Sequence, residues 1–241
     1  MAAEECARDK SGAAAESDAQ PETTSRAEDE ATIARWVDDL VTRYPRLGTC
    51  ESDIRVAGEL LLGAARTGHT IFTCGNGGSY SDSQHIVGEL MKRFHKSRPL
   101  AESRVCALRE ATGEEGEALA RQLEAAIPAI VLGSQGALLT AFANDVNPDL
   151  IFAQELEGYG HEGDVLLALS SSGSSKNVWY AAQVARSKGM GVVLLTGASG
   201  GSVSKLASCS VRVPETDTYK VQDLHLPIYH TLCLALEDAL F

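Results

Sequence analysis

His85 and Glu89 stand four residues apart in SYSDSQHIVGEL. On a helix that spacing puts both side chains on one face, with Cβ atoms roughly 5–6 Å apart. An imidazole and a carboxylate so placed can share a metal ion or move protons on a substrate. The plain alternative is a chance pair on a solvated helix face. Gln222 and His230 lie eight apart in VQDLHLPIYHTLCLALE, about two helical turns. Pro227 between them removes one backbone hydrogen bond and allows a kink, so ideal geometry does not fix whether they face the same way. His225, in the same segment, has the chemistry of a ligand, but a partly buried structural histidine is the preferred reading.

Two short turns could hold an anion. The first is Cys74-Gly75-Asn76-Gly77-Gly78-Ser79, where glycines after a strand and a serine at a helix start offer backbone N–H groups and a hydroxyl. It has neither the dinucleotide fingerprint nor the lysine of a Walker A loop. A tight turn with Ser79 as a helix cap would look the same. The second is Ser170-Ser171-Ser172-Gly173-Ser174-Ser175, leading into Asn177. Five hydroxyls at a helix start form a neutral cradle for a phosphate dianion; a solvated serine turn is the alternative. Two such turns at one end of one sheet make the bland reading harder to sustain.

The elements that must position these groups follow from apolar runs. Thr70–Cys74, Pro128–Leu132, Asp164–Ser170, Gly191–Thr196 and Cys209–Val213 read as five buried strands. Helical patterns lie between them, over Ser79–Phe94, up to Phe142, and up to Lys188. The last helix carries Val221, Leu224, Ile228, Leu232 and Leu236. Apolar, non-alternating strands in repeated βα units predict an α/β fold, a parallel sheet covered on both faces. In such sheets ligands bind beyond the carboxyl ends of the strands. Two helices come first, one from near Ala31 to Pro45 and one over Ser52–Arg66. Residues 96–126 break the rhythm with a charged, helix-prone stretch, EATGEEGEALARQLEA, read as a helical insertion or a lid. Residues 1–30 carry 3 basic and 9 acidic side chains and almost nothing apolar, which predicts a disordered acidic tail.

The whole chain has 241 residues, 21 basic against 33 acidic side chains, and a net charge of −12. That balance argues against a broad grip on nucleic acid or on an anionic membrane. No apolar run approaches the roughly 18 residues of a spanning helix, and the first residues lack a basic-then-apolar signal. The six cysteines are scattered without a CxxC pair and read as buried free thiols of a cytoplasmic protein.

Taken together, CGNGGSYSDSQHIVGEL, AFANDV, LLALSSSGSSKNV and VQDLHLPIYHTLCLALE resemble the sugar isomerase (SIS) domain superfamily, and within it the phosphoheptose isomerases. The resemblance spans roughly Ala31 to Phe241. It implies a single flavodoxin-like domain with a five-stranded parallel sheet, preceded by N-terminal helices and assembling as a homotetramer with active sites between subunits. It also implies a sugar contacted by Asn76, Gly77, Gly78, Ser79, Asn144 and Asp145, and a phosphate held by Ser170, Ser171, Ser172 and Ser175. One Zn²⁺ per subunit would be bound by His85, Glu89, Gln222 and His230, with Glu89 and Gln222 also touching substrate. The reaction would be the isomerisation of sedoheptulose 7-phosphate to glycero-manno-heptose 7-phosphate. Moving a proton between C1 and C2 through an enediol needs a base and an acid/base partner, and Glu89 and His230 are the expected pair. The sequence departs from the family in its acidic tail, its 96–126 stretch, its SSSGSS turn and the Thr218-Tyr219-Lys220 ahead of Gln222. The competing expectations are a noncatalytic phosphosugar binder or replication-initiator adaptor, and an isomerase of another phosphosugar.

Overall fold

The computed structural model describes residues 24–241. Five strands, β1 (Ile71–Cys74), β2 (Ala129–Val131), β3 (Val165–Ser170), β4 (Gly191–Thr196) and β5 (Cys209–Arg212), form one parallel sheet in the order β2-β1-β3-β4-β5. This is the flavodoxin-like order expected from the resemblance. β3 is central and buried throughout, pairing Val165–Ala168 with β1 and Val165–Ser170 with β4. Successive side chains point to opposite faces, so Leu167 and Leu169 enter one core while Leu166 and Ala168 enter the other.

The first core is closed by α1 (Thr24–Arg43), α2 (Glu51–Arg66), α3 (Gly78–Met91) and the long α9 (Thr218–Leu240). Between β2 and β5 lie α6 (Gly136–Asp145), α7 (Ile151–Tyr159) and α8 (Lys176–Ser187), and α7 and α8 close the second core. The 96–126 stretch is helical, as α4 (Glu102–Thr112) and α5 (Glu114–Ala120) packed on each other.

Most boundaries lie within a residue of those read in the sequence, α6 runs on to Asp145 rather than Phe142, and two further differences have a reason in the packing. Helix α1 begins at Thr24, so residues 24–30 are not tail; Asp29 pairs with Arg66 of α2, tying that turn to the core helices. The remainder of the expected tail, residues 1–23, lies outside the described residues. Helix α3 ends at Met91 rather than Phe94 because the chain turns to meet Glu237 near the end of α9. The Glu237 carboxylate accepts N–H groups from Phe94, His95 and Lys96 at 2.8–3.0 Å and the Arg98 Nε at 2.7 Å. Arg98 in turn donates to the carbonyls of Leu90 and Glu89. Both members of this pair are buried. Burial opposes the charge on Glu237, yet the three N–H groups and the guanidinium outweigh it and hold its pKa below the usual carboxylate range.

Among the described residues no helix is long and apolar enough to cross a membrane, and the cysteines there form no disulfide.

Candidate active site

Strands β1 and β3 are neighbours, but the chain leaves β1 towards β2 on one side and reaches β3 on the other. Such a switch point opens a crevice at the carboxyl ends of the strands. Both candidate turns lie there. They are joined by a reciprocal pair of hydrogen bonds, Asn76 Nδ2 to Asn177 Oδ1 at 3.0 Å and Asn177 Nδ2 to Asn76 Oδ1 at 2.8 Å.

The first turn crosses from β1 into α3 with Gly77 at φ 55°. A Cβ on Gly78 would meet the Gln222 side-chain amide at 2.8 Å, so glycine there lets α9 approach. Ser79 is buried and does not cap its helix; its Oγ accepts from Gln222 Nε2 at 3.4 Å. Beside this turn opens a cavity of about 260 Å³, lined by Gly75, Asn76, Gly77, Tyr80, Gly133, Leu139, Ile151 and Phe152. Its far wall is fixed by Glu155, a buried carboxylate that accepts the N–H groups of Gly133 and Gln135.

In the second turn Ser170 Oγ and Ser175 Oγ are 3.2 Å apart, and Ser172 is exposed with its Oγ accepting from Ser174 N. The N-cap residue Ser175 makes no side-chain cap on α8, which starts at Lys176; Val178 N is taken by Asn177 Oδ1 at 3.0 Å, and the N–H groups of Lys176 and Asn177 are oriented for an anion. Gly173, at φ 61°, is pressed against Gly200 and Gly201, where a side chain would collide with backbone. The cradle is thereby held from behind.

Helices α3 and α9 run side by side in the same direction. Gln222 lies beside Gly78 and Ser79, Tyr229 beside Asp82 and His85, and Glu237 beyond Met91. Pro227 does not interrupt α9. His85 Nε2 is 3.3 Å from Glu89 Oε1, Lys92 Nζ is 3.0 Å from Glu89 Oε2, and the rings of His85 and His230 have centroids 5.0 Å apart. Burial, with His85 nearby, pushes the His230 pKa below its ordinary value, so the ring is neutral at pH 7. Its Nε2 is buried without a hydrogen-bond partner. Tyr229 is held above the ordinary phenol range, first by burial and then by the Asp82 carboxylate.

The structure therefore brings His85, Glu89 and His230 into one cluster and leaves Gln222 at the Ser79 end of α9. Asn144 and Asp145 sit exposed at the end of α6, bonded to each other at 2.8 Å, with no hydrogen bond to either turn among the described residues. Among those residues no three His, Cys, Asp or Glu side chains converge closely enough to ligate one ion as they stand. Tyr229 and Asp82 were not among the residues expected from sequence. The signal for Asp82 was available, three residues before His85 on the same helix, but nothing local marks Tyr229 as more than an apolar position.

The profile of the SIS-domain family matches residues 35–126 and 109–197. A phosphoheptose isomerase of Rhodospirillum rubrum is 37% identical over 197 residues, covering 82% of this chain and 91% of that one. Another, from Alteromonas mediterranea, is 31% identical over 215 residues, covering 88% and 96%. Among solved structures, a phosphoheptose isomerase from Francisella tularensis superposes with a TM-score of 0.67 at 25% identity, covering 86% of this chain and 97% of that one. One from Neisseria gonorrhoeae gives 0.62 at 24% identity, covering 89% and 96%, a likeness of fold.

Proposed function

The chain belongs to the phosphoheptose isomerase family of SIS-domain proteins, and on that premise we propose that it interconverts sedoheptulose 7-phosphate and glycero-manno-heptose 7-phosphate. The observation that carries this reading is the grouping of Glu89, His85 and His230 on α3 and α9, with α3 rising out of the first of two linked anion-type turns at the β1/β3 switch point.

An aldose–ketose isomerase has to take a proton from one carbon of the open-chain sugar and return it to the next. Glu89, on α3 and mostly buried, is the base at carbon; a desolvated carboxylate close to the substrate has the chemistry for it. His230 is neutral with an unpartnered Nε2, so it can accept a hydroxyl proton and give it back at the neighbouring oxygen. The serine turn and the first N–H groups of α8 hold the phosphate. Asn76, Gly77 and Gly78 contact the sugar, and the cavity beside Tyr80 receives part of its chain. Asn144 and Asp145 reach a sugar only if another subunit or a movement of α6 completes the site.

Two imidazoles, a carboxylate and an amide are the donor set proposed for Zn²⁺: His85, Glu89, His230 and, less usual as a ligand, Gln222. The buried, unpartnered His230 Nε2 supports it; a lone pair given to zinc is not free for a proton, so on this reading His230 and Glu89 exchange between metal and substrate. Bound zinc would supply a Lewis acid beside the sugar oxygens. A homotetramer is part of the same reading. Its support is α6, an apolar helix with no buried residue of its own, and Val146 just beyond it, 63% exposed.

The test is incubation of the purified protein with ketose 5-, 6- and 7-phosphates in D₂O, followed by NMR. Conversion of the heptose phosphate with deuterium entering at C1 or C2 is expected. Tight binding of that sugar with neither conversion nor exchange would overturn the reading in favour of a binder.

A further inference from the structure

The His85 ring is held by more than its helix. Its Nδ1 lies 3.1 Å from the Tyr229 hydroxyl, and that hydroxyl donates to Asp82 Oδ1 at 3.2 Å. A phenol has one proton to give. Given to the Asp82 carboxylate, it leaves the Tyr229 oxygen only as an acceptor towards His85, so Nδ1 must carry the proton. In the neutral ring Nε2 is then a bare lone pair. It faces Glu89 Oε1 at 3.3 Å, another acceptor, while the His230 ring stands edge-on to its own with centroids 5.0 Å apart. Left to itself, His85 would do better in the other tautomer, with Nε2–H donating to Glu89. Tyr229 is well placed to prevent that: its ring is 1% exposed and packs edge-on against both His85 and His230.

We propose that Asp82 and Tyr229 are positioning residues that fix His85 as its Nδ1–H tautomer, keeping the Nε2 lone pair turned towards Glu89. The proposal deepens the reading of His85 as a zinc donor. It rests on that reading for its purpose, although its primary test needs no metal. A ligating histidine is ordinarily oriented by a hydrogen bond from its other nitrogen, and loss of that partner weakens metal binding. Here the partner would be a tyrosine on the helix that also carries His230, so one hydroxyl sets the direction of a donor on α3 from α9.

Long-range ¹H–¹⁵N correlation on metal-free, imidazole-labelled protein at pH 8 reads the tautomer of each ring directly. The His85 signals are identified by their loss in His85→Gln. In the wild type His85 should be the Nδ1–H form. Asp82→Ala frees the tyrosine proton to point at Nδ1, and Tyr229→Phe removes the acceptor while keeping the ring; in both, Nε2–H should predominate. An Nε2–H wild type, or an unchanged tautomer in both variants, overturns the proposal. Competition with a chromophoric chelator gives a second readout, with zinc affinity expected to fall about 10–100-fold in Tyr229→Phe. Wild-type protein that binds no zinc would sink the metal reading alone, since the tautomer spectra still decide the positioning role. If Tyr229→Phe fails to fold, Asp82→Ala decides, its side chain being only half-buried.

Discussion

A proton can leave carbon only to a group able to accept it, and in the proposed mechanism that group is Glu89. Glu89→Gln keeps the shape of the side chain and its place beside His85 while removing the basic oxygen. Turnover should fall at least about a hundredfold, in keeping with general acid–base catalysis, while binding of the sugar phosphate measured by calorimetry changes little. A variant with near wild-type kcat would move the base elsewhere. His230 stands out in the sequence by its place in a motif; in the structure burial, with His85 nearby, lowers its pKa, and its Nε2 has no partner. Tyr229 could not be found in the same way. It reads as one more apolar residue among Ile228 and Leu232, and its role depends on Asp82, 147 residues away in sequence.

Between elements, the turn proposed to hold phosphate depends on contacts behind it. Gly173 takes a left-handed φ of 61° and lies against the backbone of Gly200 and Gly201. Gly173→Ala should therefore destabilise the fold by at least about 1–2 kcal/mol from the backbone conformation alone. The collision adds to this, and KM for the phosphosugar should rise. Urea unfolding and steady-state kinetics check both; an unchanged midpoint would mean the turn can relax away from residues 200–201. The strands were legible because fully buried parallel strands are uninterrupted apolar runs ending in Gly or Ser turns. β4 was read to the residue. The end of α3 was not, since nothing in MKRFHKSRPL reveals that a carboxylate on α9 will take up three of its N–H groups. Helix α7 went unnamed for a similar reason: its buried Glu155 looks like a surface charge until the loop after β2 is seen to need it.

For the molecule as a whole, the buried charges and histidines govern stability. Removing one partner of a buried ion pair leaves the other unsatisfied, so Arg98→Met should cost about 3–5 kcal/mol. The double variant Arg98→Met with Glu237→Gln should be less destabilised than the sum of the singles; strict additivity in urea unfolding would show that the two do not interact. His225 responds to acid. Burial, only partly offset by the Thr196 backbone, pushes its pKa down to about 4 from 6.5. The unfolded chain takes up a proton below about pH 6.5 that the folded ring refuses until about pH 4. Stability from this group is complete above pH 6.5 and declines as pH falls towards 4, by about 3 kcal/mol in all. His225→Gln should flatten that part of the pH–stability curve. An unaltered slope would place the acid sensitivity on other groups.

Chain order gives the Arg98–Glu237 pair a consequence in time. All five strands, α3 and Arg98 are synthesised before α9. A nascent chain that has emerged only as far as β5 holds every strand of the sheet but lacks the helix that closes one core face, and Arg98 and the N–H groups of Phe94, His95 and Lys96 still await their carboxylate. His85 and Glu89 likewise await the helix that brings Tyr229 and His230. Maturation of the proposed cluster thereby waits for the synthesis of α9. A ribosome-bound intermediate would carry every strand of its sheet before it carried an enzyme.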